Sequence, residues 1–123
     1  MEELTIRNLY QDEVLDLIRD FPLQPRGRNV IITVNRYEPD GLMILSDNQF
    51  SETQYVLAVG SHVLDINPGQ KVMLDVEKML EYYYPDENSH EKLTRVKIKT
   101  IPVGDDTFAI IPDSYILIND NRI

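Results

Sequence analysis

The sequence contains no cysteine, no tryptophan and only two histidines. Without cysteine, disulfides, thiolate chemistry and cysteine-type zinc sites are excluded. The two histidines, His62 and His90, are not at metal-ligand spacing from each other, and no nucleophile-elbow pattern surrounds a serine. The sequence also lacks the glycine-rich motifs that bind phosphates or dinucleotides. We therefore expect no enzyme activity, no cofactor and no metal.

Basic residues are also scarce. There are 21 acidic and 12 basic residues, which gives a formal net charge of -9. A chain this acidic is repelled by a phosphate backbone, so nucleic acid is not an expected partner. Four basic side chains do lie close together in the sequence, and we interpret them as one solvated strand face: Lys92, Arg95, Lys97 and Lys99.

Long apolar runs are absent as well, and all are far shorter than the roughly 20 residues that span a membrane. The first residues are acidic and lack the hydrophobic region of a signal peptide. We expect a cytoplasmic protein that does not enter a membrane. Its 123 residues, 42% of them hydrophobic, are enough for one folded domain with its own core.

The N-terminal part has the pattern of a short amphipathic helix. Apolar residues recur at helical spacing over residues 9–20, with acidic residues early and Arg19 late. Asn8 and Gln11 are spaced as in a capping box, and Pro22 and Pro25 end the helix. Two interpretations remain open: the helix packs on the domain, or it binds a partner.

From Arg28 onward the pattern is that of β-structure. β-branched or alternating runs at residues 29–35, 55–59, 72–74, 93–101, 107–111 and 115–118 predict strands. Pro68-Gly69 suits a type II turn, and residues 104–106 suit a hairpin turn. Six or seven short strands with little helix predict a mainly all-β protein, built as a small, partly open antiparallel barrel. Residues 1–21 form an N-terminal extension, and residues 22–123 form the barrel domain.

Two stretches of this pattern are ambiguous. Residues 76–91 fit helical spacing at first, but three tyrosines followed by a polar proline-containing stretch fit a long hairpin equally well. The other stretch is an apolar tetrad inside a polar, turn-rich segment. It either folds into the core as a further strand or is kept available for a partner to bury. The tetrad and the glycine before it are Gly41, Leu42, Met43, Ile44 and Leu45.

Several segments, taken in order, resemble the GroES (chaperonin-10) family of co-chaperonins. Residues 21–32 are similar to the family's proline-containing first strand, and residues 55–60, Y-V-L-A-V-G, to its G-x-V-x-A-V-G strand. Residues 67–72, N-P-G-Q-K-V, resemble its V-K-x-G-D-x-V turn. Residues 105–118 resemble the C-terminal part of the family's sequence, in which an acidic turn is followed by a strand and then by D-I-L-A-I. The similarity covers about residues 21–119 and implies a GroES-like barrel.

The resemblance also implies a function for the tetrad. In that family a mobile loop between the same two strands carries a G-G-I-V-L-like segment that binds the apical domain of the chaperonin ring. Residues 41–45 lie at the matching place, which implies a non-enzymatic co-chaperonin that caps a GroEL-like ring and assists protein folding. It further implies a homo-oligomer, a heptamer by family resemblance.

The sequence departs from the family pattern in four ways. Asp40-Gly41 replaces the double glycine, and the loop is a few residues shorter before this glycine. About 20 extra residues precede the barrel, and residues 76–91 exceed the family's roof hairpin in length. These departures resemble co-chaperonins of large bacteriophages, in which case the protein acts in the host cytoplasm. They also leave an alternative function: a structural or assembly protein, such as a phage virion component, that uses the same barrel as an interaction module.

Overall fold

A computed structural model describes residues 7–36, 50–88 and 90–121. Its secondary structure is mainly β, with one short helix at the N-terminal end. This confirms the predicted fold class at that level. The elements are α1 (Gln11–Ile18), β1 (Asn29–Thr33), β2 (Thr53–Val59), β3 (Lys71–Leu74), a 3₁₀ turn (Val76–Met79), β4 (Leu80–Tyr83), β5 (Leu93–Val96), β6 (Lys99–Val103), β7 (Asp106–Pro112), a second 3₁₀ turn (Asp113–Tyr115) and β8 (Ile116–Asp120).

Six of the strands form one antiparallel sheet in the order β6-β7-β1-β2-β3-β8. Strand β1 lies inside the sheet and pairs with both β2 and β7. Strands β6 and β8 are the two ends, and they do not pair with each other in the described part of the chain. The sheet is therefore open, as the sequence predicted. Strands β4 and β5 form a separate two-stranded sheet.

Strand β1 is buried on both faces of the sheet, and its apolar side chains point in alternating directions. Val30 and Ile32 face the larger core, while Ile31 faces a smaller one on the other side. This matches the predicted face of residues 30, 32 and 34. The larger core also contains residues from β2, β3, β7 and the first 3₁₀ turn: Val56, Val72, Leu74, Met79, Ala109 and Ile111.

The smaller core lies between the sheet and the N-terminal segment. Leu9 and Val14 pack there against Ile31, Leu57 and Phe108. Each of the five side chains is at least 98% buried. Of the two interpretations of the helix, the structure therefore supports packing on the domain.

The helix is shorter than predicted and begins differently. It covers Gln11–Ile18, its N-cap is Tyr10, and the Glu13 carboxylate accepts a hydrogen bond from the Tyr10 N–H at 3.4 Å. The predicted cap, Asn8, instead bonds a residue distant in sequence, Arg36. The predicted capping box of Asn8 with Gln11 is therefore wrong, because tertiary hydrogen bonds take the Asn8 carboxamide away from the helix.

The predicted strand at residues 93–101 is two strands in two different sheets. β5 pairs with β4, whereas β6 pairs with β7. Lys97 and Ile98 lie between them: the Lys97 N–H donates to the Met79 carbonyl at 2.6 Å, and Ile98 packs against the larger core. The alternation of polar and apolar residues continues through this change of partner, which is why the sequence suggested one strand.

The ambiguous stretch that begins at residue 76 contains a hairpin preceded by a 3₁₀ turn. Leu80 pairs with Val96 and Tyr83 with Leu93 in an antiparallel register. The structure thus favours the hairpin over the helix. The predicted turn at Pro68-Gly69 is also confirmed, since Gly69 has φ 87 and the Gln70 N–H donates to the Asn67 carbonyl.

Candidate interaction site

The predicted binding residues lie outside the described part of the chain, and the structure describes the two places where the chain enters and leaves that segment. Gly41, Leu42, Met43, Ile44 and Leu45 all belong to residues 37–49. Arg36, before this segment, and Phe50, after it, form an antiparallel β-bridge. We call residues 35–36 and 50–51 the stem.

A buried glutamine holds the stem together. The Gln54 Oε1 accepts hydrogen bonds from the Thr33 hydroxyl at 2.7 Å and from the Asn35 N–H at 2.8 Å. Its Nε2 donates to the carbonyls of Asn35 and Ser51, both at 2.8 Å. The carboxamide of Gln54 therefore joins the outgoing and returning chains.

Two asparagines tie the stem to the N-terminal segment. The Asn35 Oδ1 accepts from the Leu9 N–H at 2.8 Å, and its Nδ2 donates to the Leu9 carbonyl at 2.7 Å. In the opposite direction, the Asn8 Oδ1 accepts from the Arg36 N–H at 2.8 Å, and its Nδ2 donates to the Arg36 carbonyl at 3.1 Å. Each asparagine thus bonds both backbone groups of one residue, as a neighbouring strand would.

These hydrogen bonds are needed because the β1–β2 ladder stops before the stem. The last paired residue of β1 on that side is Ile32, opposite Val56. Backbone groups of Asn35 are buried beyond this point, and an unpaired buried group is costly. In the described residues, every buried side-chain nitrogen or oxygen has a hydrogen-bond partner. The result is a fully bonded polar network that fixes the backbone of the stem.

The second candidate surface is the end strand β8. Leu117 and Ile118 are 60% and 52% exposed, and no other described strand covers the outer edge of this strand. The other end strand, β6, contains Lys99 and Pro102. Lysine and proline are residues that discourage pairing at a sheet edge. Of the two ends of the sheet, β8 is therefore the one suited to accept a further strand.

Open cavities flank β8 on its two sides. One, of about 570 Å³, lies beside Ile66, Ile116 and Leu117 and is bounded by the ion pair of Arg28 with Asp113 at 3.3 Å. The other, of about 540 Å³, includes Val72, Met73 and Ile118. Successive side chains of an added strand point to opposite sides, so cavities on both sides of an edge suit such a strand.

The β4–β5 hairpin carries most of the basic cluster noted in the sequence. Arg95 donates to the Glu81 carboxylate, and Lys97 lies 3.7 Å from it. The hydrogen bond from Arg95 holds the pKa of Glu81 below its usual value, although partial desolvation acts in the opposite direction. Lys92 and Arg95 also lie over the rings of Tyr82 and Tyr83, at 4.0 and 4.6 Å. Lys99 is not part of this group, because it belongs to β6.

Within residues 7–36, 50–88 and 90–121, no group of three or more histidine and carboxylate side chains is placed to hold a metal ion. None of the helices described is both long enough and apolar enough to cross a membrane. Comparison of the sequence with protein-family models gives no match, and comparison with curated proteins gives none either.

Sequence reasoning missed the polar network at the stem, which is built from the carboxamides of Asn8, Asn35 and Gln54. Asn8 was assigned to a helix cap and Asn35 to the end of a strand. The available indication was Gln54, a polar residue at the start of an otherwise apolar run. A polar residue in a buried strand needs a partner, and its position could have directed attention to the stem.

Proposed function

We propose that this protein is a co-chaperonin that binds a GroEL-like chaperonin ring through the apolar residues Leu42, Met43, Ile44 and Leu45. The observation that carries the proposal is the stem. Arg36 and Phe50 are bridged at the rim of the sheet, so a segment with four large apolar residues begins and ends at one fixed place. This is a suitable arrangement for presenting an apolar segment to a partner.

The order of the elements also supports the proposal. The segments that resemble the co-chaperonin family become β1, β2, the turn before β3, and the β7–β8 region. The tetrad falls between β1 and β2, as the resemblance requires. In this function the barrel is a scaffold, the protein is not an enzyme, and its site of action is the cytoplasm.

The energetics favour many binding segments acting together. Burial of three of the four tetrad side chains contributes roughly 5–9 kcal/mol, at about 1.5–3 kcal/mol each. Ordering five residues of backbone costs about 5–10 kcal/mol, so one segment alone binds weakly. A ring of identical subunits makes the later contacts intramolecular and restores affinity through effective concentration. The proposed co-chaperonin is therefore a homo-oligomer, and a heptamer by its family resemblance.

The exposed edge of β8 provides a surface for this assembly. A strand from a second copy would extend the sheet there and cover Leu117 and Ile118, which lie on opposite sides of the strand.

The same surface also favours the second candidate function, that of a structural or assembly protein such as a virion component. That function would need the β8 edge and would not need residues 42–45 to bind a chaperonin.

The test is a double substitution, Met43→Ser with Ile44→Ser, examined by denaturant unfolding and by binding to a chaperonin ring with ATP. We expect stability to stay within about 0.5 kcal/mol of wild type, as for other exposed sites. Binding should be lost, because every subunit loses its anchor. The matched control replaces two exposed leucines elsewhere, Leu15→Ser with Leu64→Ser, and should bind normally.

Three results would contradict the proposal in different ways. A double variant that unfolds several kcal/mol more easily would show that the tetrad is a core strand. A variant that is stable and still binds would remove the binding role of the tetrad. Failure of the wild-type protein to bind a chaperonin would favour the assembly function instead.

A further inference from the structure

The N-terminal segment is bonded to the stem at two successive residues. The Asn8 side chain bonds both the N–H and the carbonyl of Arg36, and the Asn35 side chain bonds both the N–H and the carbonyl of Leu9. The four hydrogen bonds are 2.7–3.1 Å long. The donors and acceptors alternate between the two segments. This pattern joins two pieces of chain more firmly than a single side-chain contact.

The same segment is attached independently to the body of the protein. Leu9 is 2% exposed and packs in the smaller core. Arg7 forms ion pairs with Asp106 of β7 and with Glu13 of α1, both at 2.8 Å. Residues 7–9 thus have a fixed position that does not depend on the stem.

The attachment extends to the returning side of the stem. The Ser51 N–H donates to the Asn35 carbonyl at 3.0 Å, and Gln54 bonds the carbonyls of both residues. A continuous series of bonds connects Asn8 to Ser51 through Arg36 and Asn35. A change at Asn8 should therefore be transmitted across the stem.

We infer that residues 7–9 are a positioning element for the stem, with Asn8 and Asn35 as the positioning residues. Their hydrogen bonds hold the outgoing and returning chains of the stem in one position on the sheet. The family resemblance begins at about residue 21 and does not account for residues 1–20, so this role is additional to it. Its value for chaperonin binding rests on the proposed function.

The test measures exchange of single backbone amides in the full-length protein by NMR. Asn8→Ala removes both bonds to Arg36. Exchange of the Arg36 and Ser51 amides should become about tenfold faster or more, which corresponds to about 1.4 kcal/mol of local opening. Amides of β1, such as Val30, should be unchanged and report that the core is intact.

The matched control is Gln24→Ala. Gln24 also donates a side-chain hydrogen bond to a distant backbone carbonyl, that of Val59 at 2.9 Å, but lies away from the stem. It should leave the Arg36 and Ser51 amides unchanged. A second variant, Asn8→Asp, keeps the acceptor for the Arg36 N–H and removes the donor, and we expect a smaller acceleration at both amides.

The outcomes distinguish this inference from the proposed function. Faster exchange at Arg36 alone, with Ser51 unchanged, would show that Asn8 acts only locally and would overturn the inference. Faster exchange at both amides with tighter or equal chaperonin binding by Asn8→Ala would overturn the positioning role in binding. If the wild-type protein does not bind a chaperonin while both amides respond, the proposed function fails and the positioning of the stem stands.

Discussion

At the scale of single residues, carboxamide side chains replace missing backbone partners. A carboxamide carries both donors and an acceptor, so it can bond the N–H and the carbonyl of one residue at the same time. Gln54 does this for Asn35, Asn35 for Leu9 and Asn8 for Arg36. Hydrophobic residues of similar size could fill the same space but would remove the hydrogen bonds that these side chains accept from the N–H groups of Asn35, Leu9 and Arg36.

The first prediction concerns Gln54. Gln54→Leu nearly preserves the side-chain volume and removes the hydrogen bonds. The buried N–H of Asn35 then loses the acceptor that Gln54 provides. Each orphaned buried group costs about 1–3 kcal/mol, so the free energy of unfolding should fall by at least about 2 kcal/mol. Gln11→Leu, at an exposed glutamine of α1, should cost less than about 1 kcal/mol. Equal losses for the two variants in denaturant melts would contradict the assigned role of the network.

The second prediction concerns the pH dependence of the hairpin ion pair. The pKa of Glu81 is lowered in the folded protein by Arg95, so the unfolded chain binds the proton more readily. Wild type should therefore be more stable than Glu81→Gln at neutral pH. The difference should shrink as the pH falls below about 4.3, the usual glutamate pKa, and vanish below the lowered pKa.

The measurement for Glu81 is a series of denaturant melts between neutral and acidic pH. The control is Glu87→Gln, the same substitution in the turn between β4 and β5. Its stability curve should run parallel to that of wild type. A Glu81→Gln curve that is also parallel throughout would show that the Arg95 pair does not contribute to stability.

At the scale of elements, the helix and the segment before it belong to the fold. They cover the second face of the sheet, where Phe21 also packs edge-on against Phe108 with ring centroids 5.3 Å apart. Removal of this segment would expose Ile31, Leu57 and Phe108 to water.

The third prediction compares two leucines of this region. Leu9→Ala should lower the free energy of unfolding by about 2–5 kcal/mol, as for other buried leucines. Leu15→Ala, at a position that is 43% exposed on α1, should cost less than about 1 kcal/mol. The measurement is again a denaturant melt. Similar small losses for both would show that the extension is dispensable for folding.

At the scale of the whole molecule, the two ends of the sheet differ in their capacity for pairing. β6 carries Lys99 and Pro102, which oppose the addition of a strand, while β8 exposes Leu117 and Ile118 between two cavities. An exposed apolar edge in an otherwise acidic protein is a liability unless another chain covers it. This asymmetry indicates which end of the sheet would mediate the proposed assembly.

The fourth prediction tests that edge. Leu117→Lys should shift the protein toward monomer, because a lysine at a sheet edge opposes strand addition and would bury a charge in the interface. The free energy of unfolding of the monomer should change little, since the Leu117 side chain is already exposed. Leu15→Lys adds the same charge at an exposed leucine of α1 and should leave assembly unchanged.

Sedimentation of the three proteins at tens of micromolar provides the measurement. A wild-type protein that sediments as a clean monomer would count against both the oligomer and the ring-shaped co-chaperonin. A wild-type oligomer that survives Leu117→Lys would place the interface away from β8.

Local sequence determined the elements that depend on near neighbours. Strand positions followed from β-branched and alternating residues, because successive side chains of a strand point to opposite faces of the sheet. The turn at Gly69 followed from its need for positive φ. The apolar tetrad at residues 42–45 was also visible locally, and its role remains a prediction because it lies outside the described residues.

Tertiary structure alone decided which elements meet. Alternation along residues 93–101 could not reveal that the chain changes partner at Lys97, since periodicity records the environment of a residue and not its neighbour. The same limitation hid the sheet face on which the predicted helix packs, and the bonds between Asn8 and Arg36, 28 residues apart. Gly60 illustrates the point, because a Cβ there would lie 2.2 Å from the Gly27 carbonyl oxygen, a contact that only the folded chain creates.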